Sequence, residues 1–293
     1  MDEVINLSAQ PQRSLLGDAL RRMFKNPLTV IGALLVAIAL FCAVFAPFIA
    51  PYSATKGDLK NFYIKPPSVE HPFGTDDLGR DILSRVIYGS QISVKIAVLA
   101  EGAGLIIGTF LGLMTGYYGG SLFDSVVMRL VDILMAFPLL IIAIALIGVL
   151  GASETNLIIA LALVIWPFVT RLVRSQALAL REAEYVTAAK TVGAGDFGIM
   201  FRHILPNTLT PIVVYGTLGI ASVILSEAAL SFLGLGTTEQ TVPSWGKMLN
   251  ESRAFMRTAP LMPLWPGLAI LITVLGFNLL GDGLRDALDV RAR

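Results

Sequence analysis

Charge is scarce in this sequence. Only 15% of its 293 residues are Asp, Glu, Lys or Arg, against about 25% in a soluble domain. That is too little charge to cover a globule of this size. The formal net charge of +1 gives no bulk electrostatic basis for nucleic-acid binding. Cysteine is nearly absent as well. Cys42 stands alone, which excludes an internal disulfide framework and any multi-thiolate metal site. The two histidines, His71 and His203, lie far apart with no Cys or His neighbours, so they read as structural side chains and not as zinc ligands. No G-x-x-x-x-G-K-[ST] loop occurs, because Gly246-Lys247 is followed by Met248. No G-x-S-x-G or H-E-x-x-H pattern occurs either, so a membrane enzyme has no motif to stand on. What the sequence does have is apolar surface: 55% hydrophobic residues and a mean hydropathy of +0.74. Disorder is excluded by the same composition, and a polytopic all-α membrane protein is implied.

A bilayer core about 30 Å thick needs about 20 apolar helical residues. Stretches without Asp, Glu, Lys or Arg predict six spans: Leu28–Ala50, Gly102–Phe123, Ile133–Ser153, Thr155–Thr170, Ile204–Ser226 and Thr258–Gly281. The fourth is short, and Arg171 and Arg174 would snorkel at its end. The first apolar run exceeds the usual signal-peptide core and lacks a clean small-residue cleavage site, so an uncleaved anchor is expected. Six spans put both termini on one side. With that side inside, thirteen of the 22 Lys and Arg residues fall in inside segments, which favours cytoplasmic termini. The organisation expected is a cytoplasmic segment over 1–27, a first span over 28–50 and an outside loop over 51–91. A core over 92–282 follows, with an inside loop over 175–205 and an outside loop over 235–257, then a tail over 283–293. Loops this long are usually functional or poorly ordered.

Two features stand out inside the spans. Gly104, Gly108, Gly112, Gly116 and Gly120 recur every fourth residue and make one ridge without side chains on a helix. In lipid such a ridge lets two helices approach closely, within the chain or between subunits. Glu227 interrupts the fifth apolar run. A carboxylate there costs about 2.5–3.5 kcal/mol on insertion scales, so it faces the bundle interior or a water path. It reads as a pathway or gating group, or as a hydrogen-bonded carboxyl holding helices together. Glu101 lies near the end of the second span and reads as interfacial. Pro47, Pro138, Pro167, Pro211, Pro263 and Pro266 mark kinks.

The loops carry their own patterns. Gln176–Lys190 is rich in helix formers, and Gly193 and Gly195 give a break. Asp196 is placed to N-cap a second short helix with Phe197, Met200, Phe201 and Ile204 on one face, ended by Pro206 and Asn207. Ala188, Ala189, Gly193 and Ala194 would form a small-residue knob able to seat in another protein's groove; a helix lying on lipid is the alternative. Outside, Thr75 is placed to N-cap a helix over Thr75–Gly89, with Asp76 and Asp77 in its first turn and Asp81 paired to Arg85. The cluster Asp76, Asp77, Asp81 lacks the alternation of a calcium loop. Trp245 is expected as an interface anchor. Asp282 is placed to cap a last helix, with Asn278, Arg285 and Asp286 around it.

The spacing Ala188-Ala189, Gly193, Leu205-Pro206 resembles the cytoplasmic "EAA" loop of bacterial ABC importer permeases. Thr187 and His203 depart from its usual glutamate and isoleucine. Four more segments narrow the resemblance: HPFGTDDLGRDILSR from His71 to Arg85, Met128–Ile133, Ser231–Gly236 with Pro243–Gly246, and Asn278–Asp289. In order and spacing the chain is similar, from about Leu28 to Asp289, to the C-type permease subunit of dipeptide, oligopeptide and nickel importers. The resemblance implies a type I ABC importer permease fold in the bacterial inner membrane. It implies a B-type permease partner, two cytoplasmic subunits that bind ATP and Mg, and an extracytoplasmic solute-binding protein. No cofactor or metal in this chain, and no nucleic acid, is implied. Tyr185, Thr187, Ala188, Ala189, Gly193, Ala194, Asp196, Arg202, Leu205 and Pro206 would form the loop that docks on the ATPase. Asp76, Asp77, Arg80, Asp81 and Trp245 would lie at the periplasmic face. Peptides are the expected solute, with nickel or another small solute such as glutathione as alternatives. A secondary transporter or channel would instead call for inverted repeats and more intramembrane charge.

Overall fold

The computed structural model describes residues 23–57, 64–237 and 243–288. Most of the expected N-terminal segment, the end of the tail and the middle of the loop over 235–257 lie outside the described residues. Within them the chain is helical. The one β-bridge described pairs Thr75 with Asp81.

Helix α1 spans Pro27–Ile49, with Asn26 accepting from the Leu28 amide and proline at the first turn, where its missing N–H costs nothing. Helix α2 spans Ile82–Tyr117 and is 36 residues long. At 1.5 Å per residue it runs about 54 Å, well beyond a bilayer core. The second span and the expected surface helix are therefore one continuous helix, and the boundary expected at 91 falls inside it. Asp81, not Thr75, is its N-cap, accepting from the Ser84 amide. The fourteen residues of α3, Leu122–Met135, and the twelve of α4, Leu139–Leu150, meet at a bend of 95°. Pro138 sits at that break. The third span thus begins earlier than expected and is broken.

Helix α5 covers Glu154–Leu180 and carries Pro167 inside it. The chain then forms a hairpin from α6, Glu184–Thr191, and α7, Asp196–Ile199. Gly195 and not Asp196 precedes α7 as its cap. A π turn over Met200–Ile204 leads straight into α8, Leu205–Phe232. Pro206 does not end a helix here; it stands in the first turn of the next one, where proline is tolerated. Helix α9 covers Trp245–Ser252. Helix α10 covers Leu261–Leu288, so Asp282 lies within it and caps nothing. Among the described residues, five helices, or six segments if the bent pair counts as one, are long and apolar enough to cross a membrane.

The core lies where α2, α5 and α8 meet, around Ile96, Leu113, Leu161, Val169, Val173 and Ile224. Helices α1 and α10 pack together through close backbone approach: a Cβ at Gly32 would lie 2.7 Å from the Leu280 amide nitrogen. Large side chains such as Phe48 (84% exposed), Leu122 and Val149 point outward. In water that would be an aggregation surface; in a bilayer it is the lipid face.

Candidate functional sites

The glycine ridge fixes the centre of the bundle. A Cβ at Gly104 would lie 2.7 Å from Ile165 Cγ2, at Gly108 2.5 Å from Val169 Cβ, at Gly112 2.7 Å from Val173 Cβ and at Gly116 2.5 Å from Ala177 Cβ. The contact is internal, between α2 and α5. Gly120 does not belong to it: no atom lies within 4 Å of its Cβ position, and its φ of +86° serves the turn into α3.

Between α2, α5 and α8 opens a cavity of about 320 Å³, lined by Glu101, Leu161, Phe168, Tyr215, Ser222 and Ser226 among others. Glu101 is not interfacial. It is 2% exposed, and its Oε1 has no hydrogen-bond partner. Gly219 leaves the space its carboxylate occupies, since a Cβ there would meet Oε1 at 2.2 Å. Glu227 sits elsewhere. Its carboxylate accepts from Ser93 Oγ (3.0 Å) and Ser231 Oγ (2.8 Å) and is also bonded by Ser244. It does not line the cavity; it joins α2, α8 and the start of α9.

Trp245 shares that junction. It is 3% exposed, donates through Nε1 to the Val86 carbonyl (2.9 Å), and its amide donates to Ser93 Oγ (3.2 Å). Gly89 leaves the space for its ring. Trp245 is therefore a buried wedge and not an interface anchor.

At this end of the bundle the acidic cluster is divided: Asp76 goes to two arginines and Asp81 to His71. Asp76 Oδ2 accepts from Arg80 Nε and Arg85 Nη1, both at 2.7 Å. Glu251 Oε2 accepts from Arg85 Nη2 at 2.6 Å and Arg80 Nη2 at 3.3 Å. Asp81 does not pair with Arg85. It accepts from His71 Nδ1 (2.9 Å) and from Ser84 Oγ (2.7 Å). Arg85 points back past its own turn to Asp76 because Asp81 is already used as the cap of α2. Asp77 is half-buried, and burial and the neighbouring Asp76 carboxylate push its carboxyl above the ordinary range. Glu251 carried no sequence signal: it lies 166 positions from Arg85.

At the opposite end, the hairpin is moored to the end of α2. Tyr117 Oη and Tyr118 Oη donate to Asp196 at 2.7 and 2.9 Å, and Lys190 Nζ stands 5.4 Å from the Tyr117 ring centroid. Val186, Ala189, Ile199 and Ile204 turn into the bundle. Ala189 thus packs inward and is not part of an exposed knob. Tyr185, Thr187, Ala188, Gly193, Arg202 and Pro206 are exposed, while Ala194 and Leu205 are half-buried. Phe197 is 63% exposed and stacks on Phe201 with centroids 5.0 Å apart. The arginines expected to snorkel are instead paired across helices. Arg174 bridges both oxygens of Asp124 (2.6 and 2.8 Å), and Arg171 bonds Asp132.

Residues 108–293 match the family described as "Binding-protein-dependent transport system inner membrane component", and residues 14–67 match the "N-terminal TM domain of oligopeptide transport permease C". The chain is 45% identical to the dipeptide transport system permease protein DppC of Alkalihalophilus pseudofirmus, over 94% of this chain and 90% of that one. It is 47% identical to the glutathione transport system permease protein GsiD of Escherichia coli, over 93% and 89%. Among solved structures it is similar in fold to a chain of the MetNI methionine ABC transporter, with a TM-score of 0.55, 19% identity, and coverage of 71% of this chain and 96% of that one. With several membrane-crossing helices and matches over nearly its whole length, the chain belongs to the multi-pass inner-membrane permease components of binding-protein-dependent ABC transport systems.

Proposed function

We propose that this chain forms half of an ATP-driven import pathway for di- and oligopeptides, closed by a B-type permease subunit and loaded by an extracytoplasmic binding protein. ATP and Mg would be held by two cytoplasmic partner subunits; the chain itself would catalyse nothing. The observation that carries this reading is the hairpin over 184–204. Its inner face is built into the bundle, while Val192 (85% exposed), Phe197 and Tyr185 stand outward. Apolar side chains presented from a moored, well-packed support suit a permanent protein partner. In this reading the hairpin is cytoplasmic, and the Asp76–Arg80–Arg85–Glu251 network faces the binding protein. Peptide is preferred as solute because of the dipeptide and oligopeptide permease similarities; the glutathione permease similarity fits the same class, since glutathione is a tripeptide.

The test is a charge placed on the docking face. Gly193 has open space at its Cβ but a φ of +85°, so any side chain there strains the backbone. Val192→Asp avoids that strain. It is expected to cut co-purification of the ATPase subunits by tenfold or more, about 1.4 kcal/mol, while membrane insertion is unchanged. Full ATPase association and full transport in that variant would refute the assignment.

A further inference from the structure

Of the buried acids, Glu101 stands apart. Asp76 is held by two arginines, Asp81 by His71 and Ser84, Asp124 by Arg174, and Glu227 by serines. Glu101 has none of these. Its Oε1 is buried, unpartnered and in the wall of the largest cavity described. Among the described residues, no Lys, Arg or His lines that cavity. A buried polar oxygen without a partner is costly, and a buried carboxylate more so. A group that enters the cavity with N–H donors and positive charge removes that cost.

We infer that Glu101 is the counter-ion for the protonated amino group of the solute in transit. The cavity size falls in the range of small-ligand sites. Its other lining groups suit the rest of a short peptide: Phe168 and Tyr215 offer aromatic surface, and Ser222 and Ser226 add polar side chains, the Ser226 hydroxyl donating to the Ser222 carbonyl (2.8 Å) and keeping its lone pairs to accept. Gly219 is part of the same device, because any larger residue would fill the place of the carboxylate. This inference rests on the peptide-import reading, and its test separates the two.

The complete importer, reconstituted without binding protein, is treated with dicyclohexylcarbodiimide, which modifies carboxyls in apolar surroundings. Modification is read by mass spectrometry of the Glu101 peptide. Glu101 is expected to be modified, and Glu227, already hydrogen-bonded, to be spared. Dialanine should slow modification by about threefold at twice its dissociation constant, and N-acetyl-dialanine should not. An unmodified Glu101, or modification that neither or both compounds slow, overturns the inference. In cells, Glu101→Gln is expected to lower dialanine uptake by about tenfold at unchanged abundance in the membrane. If deletion of the chain leaves dialanine uptake intact, the peptide reading fails. If uptake depends on the chain and Glu101→Gln transports at the wild-type rate, only the counter-ion role fails.

Discussion

A methyl group added to Gly108 would stand 2.8 Å from the Trp166 carbonyl oxygen and 2.5 Å from Val169 Cβ. Backbone cannot yield there without pushing α5 away. Gly108→Ala is expected to destabilise the protein by about 1–3 kcal/mol, seen as a lower thermal midpoint in detergent. Gly102→Ala, on the same helix with nothing within 4 Å, should leave the midpoint unchanged or raise it, because alanine is the better helix former. Equal effects of the two would show that the ridge is not a steric contact. Glu227 allows a similar contrast. Glu227→Ala leaves Ser93 and Ser231 without their acceptor and should cost about 1–3 kcal/mol. Glu227→Gln keeps an acceptor and should cost less. Transport by Glu227→Gln near the wild-type level would fit a carboxylate that ties helices and does not carry solute.

Among the elements, the hairpin and α2 form one lever. The link is local: two tyrosyl hydroxyls on Asp196 and the Lys190 ammonium beside an aromatic ring. Replacing Tyr117 and Tyr118 together by Phe removes both donors. The site is exposed, so the loss is read as local opening of the hairpin and not as global unfolding. Amide exchange should quicken across 184–204 and stay slow in α5; protection unchanged in the hairpin would show that the tyrosines do not moor it. The positions of most spans were legible from charge-free runs, because a long apolar stretch has few alternatives. The glycine ridge was legible because its spacing equals the helical repeat. The break at Pro138 was marked by the proline, but its 95° angle depends on packing. Asp81 was misassigned because Thr75 is also a good cap; the bridge between the two residues folds the loop back on itself and leaves Asp81 at the helix start. Glu101 looked interfacial because the charge-free window began after it, whereas α2 runs twenty residues further toward its own start, from Gly102 back to Ile82.

On the scale of the whole molecule, Arg85 ties the loop before α2 to α9 through Asp76 and Glu251. Arg85 and Asp76 are almost fully buried, and Glu251 is 26% exposed at its side chain. A double-mutant cycle between Arg85→Ala and Glu251→Ala is expected to give a coupling of about 1 kcal/mol or more, above a typical surface pair. Zero coupling in thermal unfolding would make the bridge incidental. If this end receives the binding protein, as proposed above, transport by Arg85→Ala should fall more at low binding-protein concentration than at saturation.

The ridge has one more consequence. Gly104, Gly108, Gly112 and Gly116 meet Ile165, Val169, Val173 and Ala177, a constant separation of 61 positions along two helices that run the same way. Neither helix needs the bent segment between them to find its register. Membrane helices form individually and then associate by packing, so this chain should survive being made in two pieces. Co-expressed fragments divided between Gly151 and Ser153 would reassemble into a transporting complex, and Gly112→Ile in the first fragment would prevent them from doing so.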